Sequence, residues 1–433
     1  LHSVGVEVAG INVLGADTPI GTGSTIYDDG GARFSGIVTA TTFSGSGANL
    51  TSLPAANLTG TLPAISATNL TNIPAANITG TLPAISGANL TNLPASGKVT
   101  NFVVNGAMMV AQRGTSSTSS GFQTVDRFNV QFGGTDEAMT VEQANVASGT
   151  TPYTLGFLKC LKVTNGNQTS GAGGGDWLEI YQYLEDQDIC NSGWNFKSAT
   201  SYLTISFWVK SSVSQKFGGF FYTNTAGQGD SYTYSYQIDN GSGGNLSADT
   251  WTKITHTIPG SSSLTFNNDN TKGLAVGIFP FDGTDYTTSG HTEETWQQWS
   301  SSNKLKDMDS TWWTTNNATF ELTGVQLEVG SVATPFEHRS YGEELARCQR
   351  YFYKHFIVDA IGPYFTQYHA THKFVHTFFP VSMRDIPTPT VTYNTGSPTA
   401  YKVTTDHFKA YVGSAYDSTT SIYMTAAQYS AEV

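Results

Sequence analysis

Between Asn49 and Ala95 the sequence repeats itself, and this restricts the possible folds more than any other feature. The unit is Asn-(Leu/Ile)-Thr, one or two further residues, then Leu or Ile, Pro and Ala. Its asparagines fall at Asn49, Asn57, Asn69, Asn77 and Asn89, so spacings of 8 and 12 alternate and the true period is twenty residues. Pro54, Pro63, Pro74, Pro83 and Pro94 keep the same beat. A fixed period of this length marks a repeat architecture whose units cannot bury their apolar side alone.

Each half-unit offers two or three aliphatic side chains among Thr, Asn, Gly and Ala. That is too little burial to offset roughly 1–2 kcal/mol of backbone entropy per residue. The segment must stack on something. A single-chain solenoid is one solution, but the repeat is short for it and a proline in every half-unit interrupts strand ladders. Three identical chains about one axis are the preferred solution, with Leu50, Leu58, Leu62, Leu70, Ile73, Ile78, Leu82 and Leu90 forming the shared core. A thin rod followed by a large remainder is a shaft carrying a head.

At 433 residues the chain exceeds one hydrophobic core, and two or three domains are expected. It opens on Leu rather than Met, which leaves a preceding attachment segment open. Abundant Gly, Ser and Thr, with only 12% charged residues, describe an all-β protein of extracellular type. A net charge of −12, threefold in a trimer, argues against nucleic-acid partners and anionic membranes. No apolar run approaches a membrane span, and no signal peptide is visible. Cys160, Cys190 and Cys348 fit neither a zinc site nor a disulfide framework, so free thiols and assembly in a reducing cytoplasm are expected. The Asn-Leu-Thr triplets match a glycosylation acceptor, but their regular spacing suits a structural role better.

Five segments follow. Residues 1–46 read as short strands and turns, with Val4, Val6 and Val8 alternating, and 47–97 as the shaft. Residues 98–340 carry the pattern of a β-sandwich. Leu203, Ile205, Phe207 and Val209 alternate with Thr204, Ser206 and Trp208, and Phe320, Leu322, Val325 and Leu327 form a last strand pair with a bulge at Gly324. Ser340 and Glu343 make a capping box opening a linking helix over 341–355, with Leu345, Cys348 and Phe352 on one face. Strands return over 356–433, too short to be stable alone, as a C-terminal tip.

Several stretches resemble tail-fibre proteins of phages, especially those infecting marine cyanobacteria. They include Ala40-Thr41-Thr42-Phe43-Ser44-Gly45 running into the repeat, Asn105-Gly106-Ala107-Met108-Met109-Val110-Ala111-Gln112-Arg113-Gly114, and Val125-Asp126-Arg127-Phe128. The most specific is Phe320-Glu321-Leu322-Thr323-Gly324-Val325-Gln326-Leu327-Glu328-Val329-Gly330-Ser331, continued by Phe336-Glu337-His338-Arg339 and Glu344-Leu345-Ala346-Arg347-Cys348-Gln349-Arg350-Tyr351. The resemblance covers most of residues 40–400. It implies a jelly-roll domain similar to carbohydrate-binding modules, mounted on a homotrimeric fibre that recognises the host surface. Its N-terminal end would meet phage tail or baseplate proteins, and the chain would be a virion component.

Sugar recognition needs flat apolar faces beside hydrogen-bonding groups. In Asp176-Trp177-Leu178-Glu179-Ile180-Tyr181-Gln182-Tyr183, a strand puts Trp177, Glu179, Tyr181 and Tyr183 on one face and the aliphatic residues on the other. A trimer contact explains that aromatic face as well as a glycan does. Trp296, Trp299, Trp312 and Trp313 lie in polar stretches and are further candidate sugar anchors, whereas Tyr232, Tyr234 and Tyr236 read as core. A depolymerase needs two carboxylates across a cleft, and Glu179, Glu185, Asp186 and Glu293 are available without a spacing that pairs them. The run Asn267-Asn268-Asp269-Asn270 reads as a turn before it reads as a calcium loop, and His369, His372 and His376 as surface residues before metal ligands. Neither a cofactor nor a metal is expected. The expected function is adsorption to a bacterial surface polysaccharide or lipopolysaccharide without catalysis. The alternatives are a depolymerising tailspike and a connector fibre without receptor binding.

Overall fold

The period-two alternation that the sequence carries becomes antiparallel sheet in the computed structural model. It describes residues 24–26, 32–34, 37–39, 41–42, 101–223, 231–355, 363, 365–369, 372–412 and 421–432. Two compact units divide the chain, Leu1–Gly87 and Ala88–Val433. In the first, Ser24–Ile26 (β1) and Ala32–Phe34 (β2) form an antiparallel pair. The Val4–Val8 alternation and the shaft residues Leu50, Leu58, Leu62, Leu70, Ile73, Ile78, Leu82 and Leu90 lie outside the described residues.

The second unit opens with a sandwich. Its elements are Ser116–Ser117 (β3), Asn129–Gly133 (β4), Thr140–Asn145 (β5), Thr151–Thr154 (α1), Lys159–Thr164 (β6), Trp177–Glu185 (β7) and Asp186–Cys190 (α2). Then come Tyr202–Ser211 (β8), Phe217–Thr223 (β9), Tyr232–Ile238 (β10), Thr252–Pro259 (β11), Lys272–Asp282 (β12), Gln297–Gln298 (β13), Thr311–Thr314 (α3) and Thr319–Val329 (β14). One six-stranded sheet runs β13-β10-β9-β12-β7-β4 and the other β11-β8-β14-β6-β5-β3. Leu178, Ile180, Leu184, Phe221 and Ile278 from the first meet Leu203, Ile205, Phe207, Val209, Phe320 and Leu322 from the second in one core. Neighbouring strands far apart in sequence, such as β7 between β4 and β12, close the layers over each other.

Residues 319–329 form one strand rather than the expected pair. The register against β8 shifts between Thr323 and Gln326, and Gly324 takes φ +65° there. A Cβ at Gly324 would stand 2.8 Å from the Phe157 ring, so both the left-handed backbone and the close approach require glycine. The helix over Tyr341–Gln349 (α4) is capped by Ser340 as read, its Oγ accepting the Glu343 N–H at 3.3 Å, while the Glu343 carboxylate meets Arg347. It stops short of 355, and Phe352, expected on its face, opens a strand instead.

The C-terminal segment supplies Phe352–Lys354 (β15), Thr366–His369 (β16), His372–Phe378 (β17), Thr388–Tyr393 (β18), Thr399–Val403 (β19), His407–Val412 (β20) and Met424–Ser430 (β21). Sheets β15-β21-β18 and β16-β17-β20-β19 enclose Val375, Phe408, Ala410, Met424 and Tyr429. It is tied to the sandwich by charge. Arg127, 1% exposed, pairs with Glu432 and lies 3.5 Å from the Tyr351 ring centre, while Arg350 forks onto Glu185 at 3.0 and 2.8 Å.

Candidate functional site

Strand β7 projects Leu178, Ile180 and Leu184 into the core, which leaves Trp177, Glu179, Tyr181 and Tyr183 on the outer face of the β13-β10-β9-β12-β7-β4 sheet. Register gives the rows across that face. Tyr183 stands opposite Ala275, Ala275 opposite Tyr222, Tyr222 opposite Thr233, and Thr233 opposite Gln297. One step along, Tyr181, Gly277, Phe220 and Ser235 align in the same way. Two strand spacings of about 4.8 Å each separate the Tyr183 and Tyr222 backbones, with the small Ala275 between them.

β12 reaches this arrangement through an irregularity. Its register against β7 breaks between Ile278 and Phe281, where Pro280 sits. Phe279 faces outward in the same alternation as Ala275 and Gly277, and the break returns Phe281 to the core. Asp282 then falls on the outer side near Glu179.

The face is not an open trough. Residues 283–310 border and cover it as a strap: Trp299 and Glu294 N–H donate to Ser231 O and Ser235 O at 2.9 and 2.8 Å along the β10 edge, where β13 extends the sheet, and on the face itself Ser235 Oγ meets His291 Nε2 at 2.6 Å. Leu305 packs with Tyr181, Phe220 and Phe279. A Cβ at Gly218 would stand 2.8 Å from Leu305, so the strap lies directly on the β9 backbone. Lys304 Nζ reaches Glu179 at 2.6 Å and Asp282 at 3.9 Å. Burial, and then the Glu179 charge beside it, hold the Asp282 carboxyl protonated well above the usual carboxylate range.

Among the described residues, the rim at the β7–β9 end is less covered. Tyr183 and Tyr222 are half-buried, and Trp299 lies 5.9 Å from Tyr222. Lys272 Nζ sits 4.2 Å from the Tyr183 ring centre. Burial, and then Glu179, push the Tyr183 hydroxyl up to about 12, so it stays a neutral donor and acceptor. Flat rings next to an ammonium and a phenol hydroxyl can take a ligand with one apolar face and a hydroxylated edge.

The other sequence candidates fall apart from this rim. Glu179 and Tyr181 are 5% and 8% exposed beneath the strap, which removes them from direct ligand contact. Trp312 and Trp313 are 0% exposed, a correction to their reading as anchors. Helix α3 tucks both indoles inward, and their Nε1 atoms donate to Thr319 O at 3.0 Å and Gly171 O at 3.1 Å. Trp296 packs 5.4 Å from Tyr234 and donates to Pro259 O at 2.7 Å, which makes it part of the wall. Trp177 lies at the far end of β7 against Gly133. Tyr234 and Tyr236 are buried in the core and Tyr232 packs against it, as read.

Of the acids, Glu185 is held by Arg350, Tyr351 and Gln187, and Asp186 accepts Asn267 N–H at 2.5 Å. Asp269 accepts from Thr271 within a turn. Among the described residues no group of three or more His, Cys, Asp or Glu is placed to hold a metal ion, and no helix is long and apolar enough to cross a membrane. The side chains of His369 and His372 lie outside the described residues. Cys160, Cys190 and Cys348 are unpaired, and burial pushes the Cys160 thiol up to about 12.

Tyr222 and Lys272 escape a reading of the sequence. The Gly218-Gly219 pair breaks the alternation that would have given β9 away. Gly219 is small because the Tyr236 ring lies where its Cβ would be, and only the packed sheet reveals that.

No protein-family model and no curated protein matches the sequence. Among solved structures, the chain is similar to the enzymatically active domain of tailspike protein 4 of bacteriophage CBA120 at a TM-score of 0.28 and 11% identity, over 53% of this chain and 21% of that one. It is similar to a CBM4 domain at a TM-score of 0.26 and 11% identity, over 52% of this chain and 98% of that one. It is also similar to the tripod of the bacteriophage Tuc2009 baseplate at 0.24 and 12% identity, over 57% of this chain and 60% of that one. The chain thus spans about a fifth of the tailspike chain it is similar to.

Proposed function

We propose that this chain is a glycan-binding subunit of a phage tail fibre, a homotrimer whose sandwich presents the Tyr183–Tyr222–Trp299 rim to a bacterial surface polysaccharide or lipopolysaccharide. The observation that carries the reading is the row itself: two tyrosines flanking Ala275, extended by Trp299, with Lys272 alongside. A pyranose ring laid on these aromatics keeps its hydroxyls within reach of the ammonium and the Tyr183 hydroxyl. The resemblance of residues 320–351 to phage tail fibres supports the setting. The twenty-residue repeat supplies the trimer contact, and three copies on one shaft turn weak single sites into avidity. The N-terminal end would join the tail or baseplate.

Affinity electrophoresis through gels containing host-envelope polysaccharide tests this. Tyr222→Ala and Trp299→Ala are each expected to weaken retardation about tenfold. Retardation equal to the parent's in both variants would overturn the assignment of the rim.

The depolymerase reading has one observation in its favour, the Glu179–Asp282 pair with one carboxyl held protonated. Against it, Asp282 is 1% exposed and Lys304 is seated on the pair, leaving no path for a glycosidic oxygen. New reducing ends released from the polysaccharide, and lost in Asp282→Asn, would favour the enzyme over the binder.

A further inference from the structure

The outer face of the C-terminal sheet β16-β17-β20-β19 carries a second, separate set of side chains. β17 sends Val375 and Thr377 into the core, which leaves Phe374, His376 and Phe378 outside. β20 buries Phe408, Ala410 and Val412 and leaves His407, Lys409 and Tyr411 outside. Register sets Phe374 opposite Tyr411, His376 opposite Lys409, and Phe378 opposite His407. A shift between Ala400 and Lys402 brings both Tyr401 and Lys402 toward the same face, with Lys402 opposite Lys409. The rings adjoin: Phe374 to Tyr401 is 5.7 Å, Tyr401 to Tyr411 is 5.9 Å, and His376 to His407 is 4.7 Å. Lys409 Nζ stands 4.5 Å from the Phe374 ring centre and 5.6 Å from that of Tyr401.

Phe378 and Tyr401 are 68% and 62% exposed, an unusual outlay of large apolar surface on a small sheet. The partner sheet β15-β21-β18 exposes Thr388, Thr390, Thr392 and Gln428 instead, the ordinary polar solution. The charge is also against the grain. In a chain of net charge −12, this face presents Lys402, Lys409, His376 and His407. Burial lowers the His376 pKa first, and then the charges facing it do so too; these are His407 and Lys409, both cationic when charged.

We propose that this face is a second carbohydrate site that takes an acidic polysaccharide, with the exposed rings of Tyr401 and Phe378 receiving pyranose rings and Lys409 and Lys402 their carboxylates. Two-fold pairing of this face with its own copy is excluded by charge, since Lys402 and Lys409 would meet their own kind across the axis. A three-fold trimer joins unlike faces, and the oligomeric mass of Tyr401→Ala tests that rival. Single-stranded nucleic acid also combines stacking with charge, but along a row of successive platforms. Here Phe374 and Tyr411 meet Tyr401 edge to face, at 76° and 84°, which leaves Tyr401 and Phe378 as two separate exposed rings rather than a continuous row. The site does not rest on the sandwich rim.

The full chain, electrophoresed through polygalacturonate (a carboxylate on every sugar) and through neutral dextran, tests it. Polygalacturonate is expected to retard the protein, dextran is not, and added salt should weaken the effect. Tyr401→Ala should weaken it about tenfold, and Lys409→Met, which keeps the packing and removes the charge, should weaken it and flatten its salt dependence. Lys253→Met, which removes an exposed lysine of β11 outside both faces, should leave it unchanged, which separates this face from a general effect of net charge. Four results would overturn the proposal: equal retardation by dextran, insensitivity to both tip substitutions, single-stranded DNA bound more tightly than the polyuronate, or a change of oligomeric mass in Tyr401→Ala.

Discussion

Replacing Glu432 by glutamine asks how much one ion pair contributes to holding the C-terminal sheets against the sandwich. Arg127 is 1% exposed, donates to Tyr183 O at 2.5 Å, and has its counter-charge in Glu432, which also meets Arg113 at 3.2 Å. Burial works against the charged guanidinium, and the Glu432 carboxylate together with Tyr351 more than offsets it. The substituted amide would keep the volume and one acceptor but leave a buried cation without its anion. Breaking such a pair from one side costs about 3–5 kcal/mol. At about 2–4 °C per kcal/mol for a domain of this order, the loss in melting temperature is roughly 6–20 °C. Calorimetry of parent and Glu432→Gln reads this directly, with urea titration giving the free energy. The double variant Arg127→Met/Glu432→Leu is expected to recover most of the loss, since removing both charges avoids the orphaned one. A single variant within about 1 kcal/mol of the parent would refute the reasoning, because it would mean that water already reaches Arg127.

Two further tests bear on the same unit. Burial is the largest influence on Asp126 and pushes its carboxyl up to about 6, despite the bonds from Gln112 and the nearby Arg113. The folded chain therefore keeps a proton that the unfolded chain releases from the ordinary 3.8 upward. The stabilisation is complete below that value and lost as pH rises through about 6. Asp126→Asn should gain on the parent by up to about 3 kcal/mol between about pH 4 and pH 7, and urea midpoints moving in parallel would contradict it. Gly324→Ala should cost about 2–4 kcal/mol, from a left-handed backbone and a collision with Phe157, and an unchanged urea midpoint would count against both causes.

Part of this architecture is written locally. The alternation in β7 and β8 needs no partner to be read, because each strand's aliphatic side chains fall on one face. The cap at Ser340 depends only on residues three positions apart. Trp312 and Trp313 show the limit. They sit among threonines in a stretch that reads as exposed, yet a short helix turns both indoles into the core and backbone carbonyls satisfy their N–H groups.

Period-two alternation is enough to specify a β-rich chain and the inward and outward faces of its strands. Which outward residues remain exposed depends on the packed sheets and the segments laid over them. The strap of residues 283–310 buries Glu179 and Tyr181, the break at Pro280 brings Asp282 to Glu179, and β9 sets Tyr222 across Ala275 from Tyr183. The difference comes from range. Alternation and capping act over a few residues, whereas the covering of a sheet face joins positions more than a hundred residues apart, and local patterns do not encode those distances.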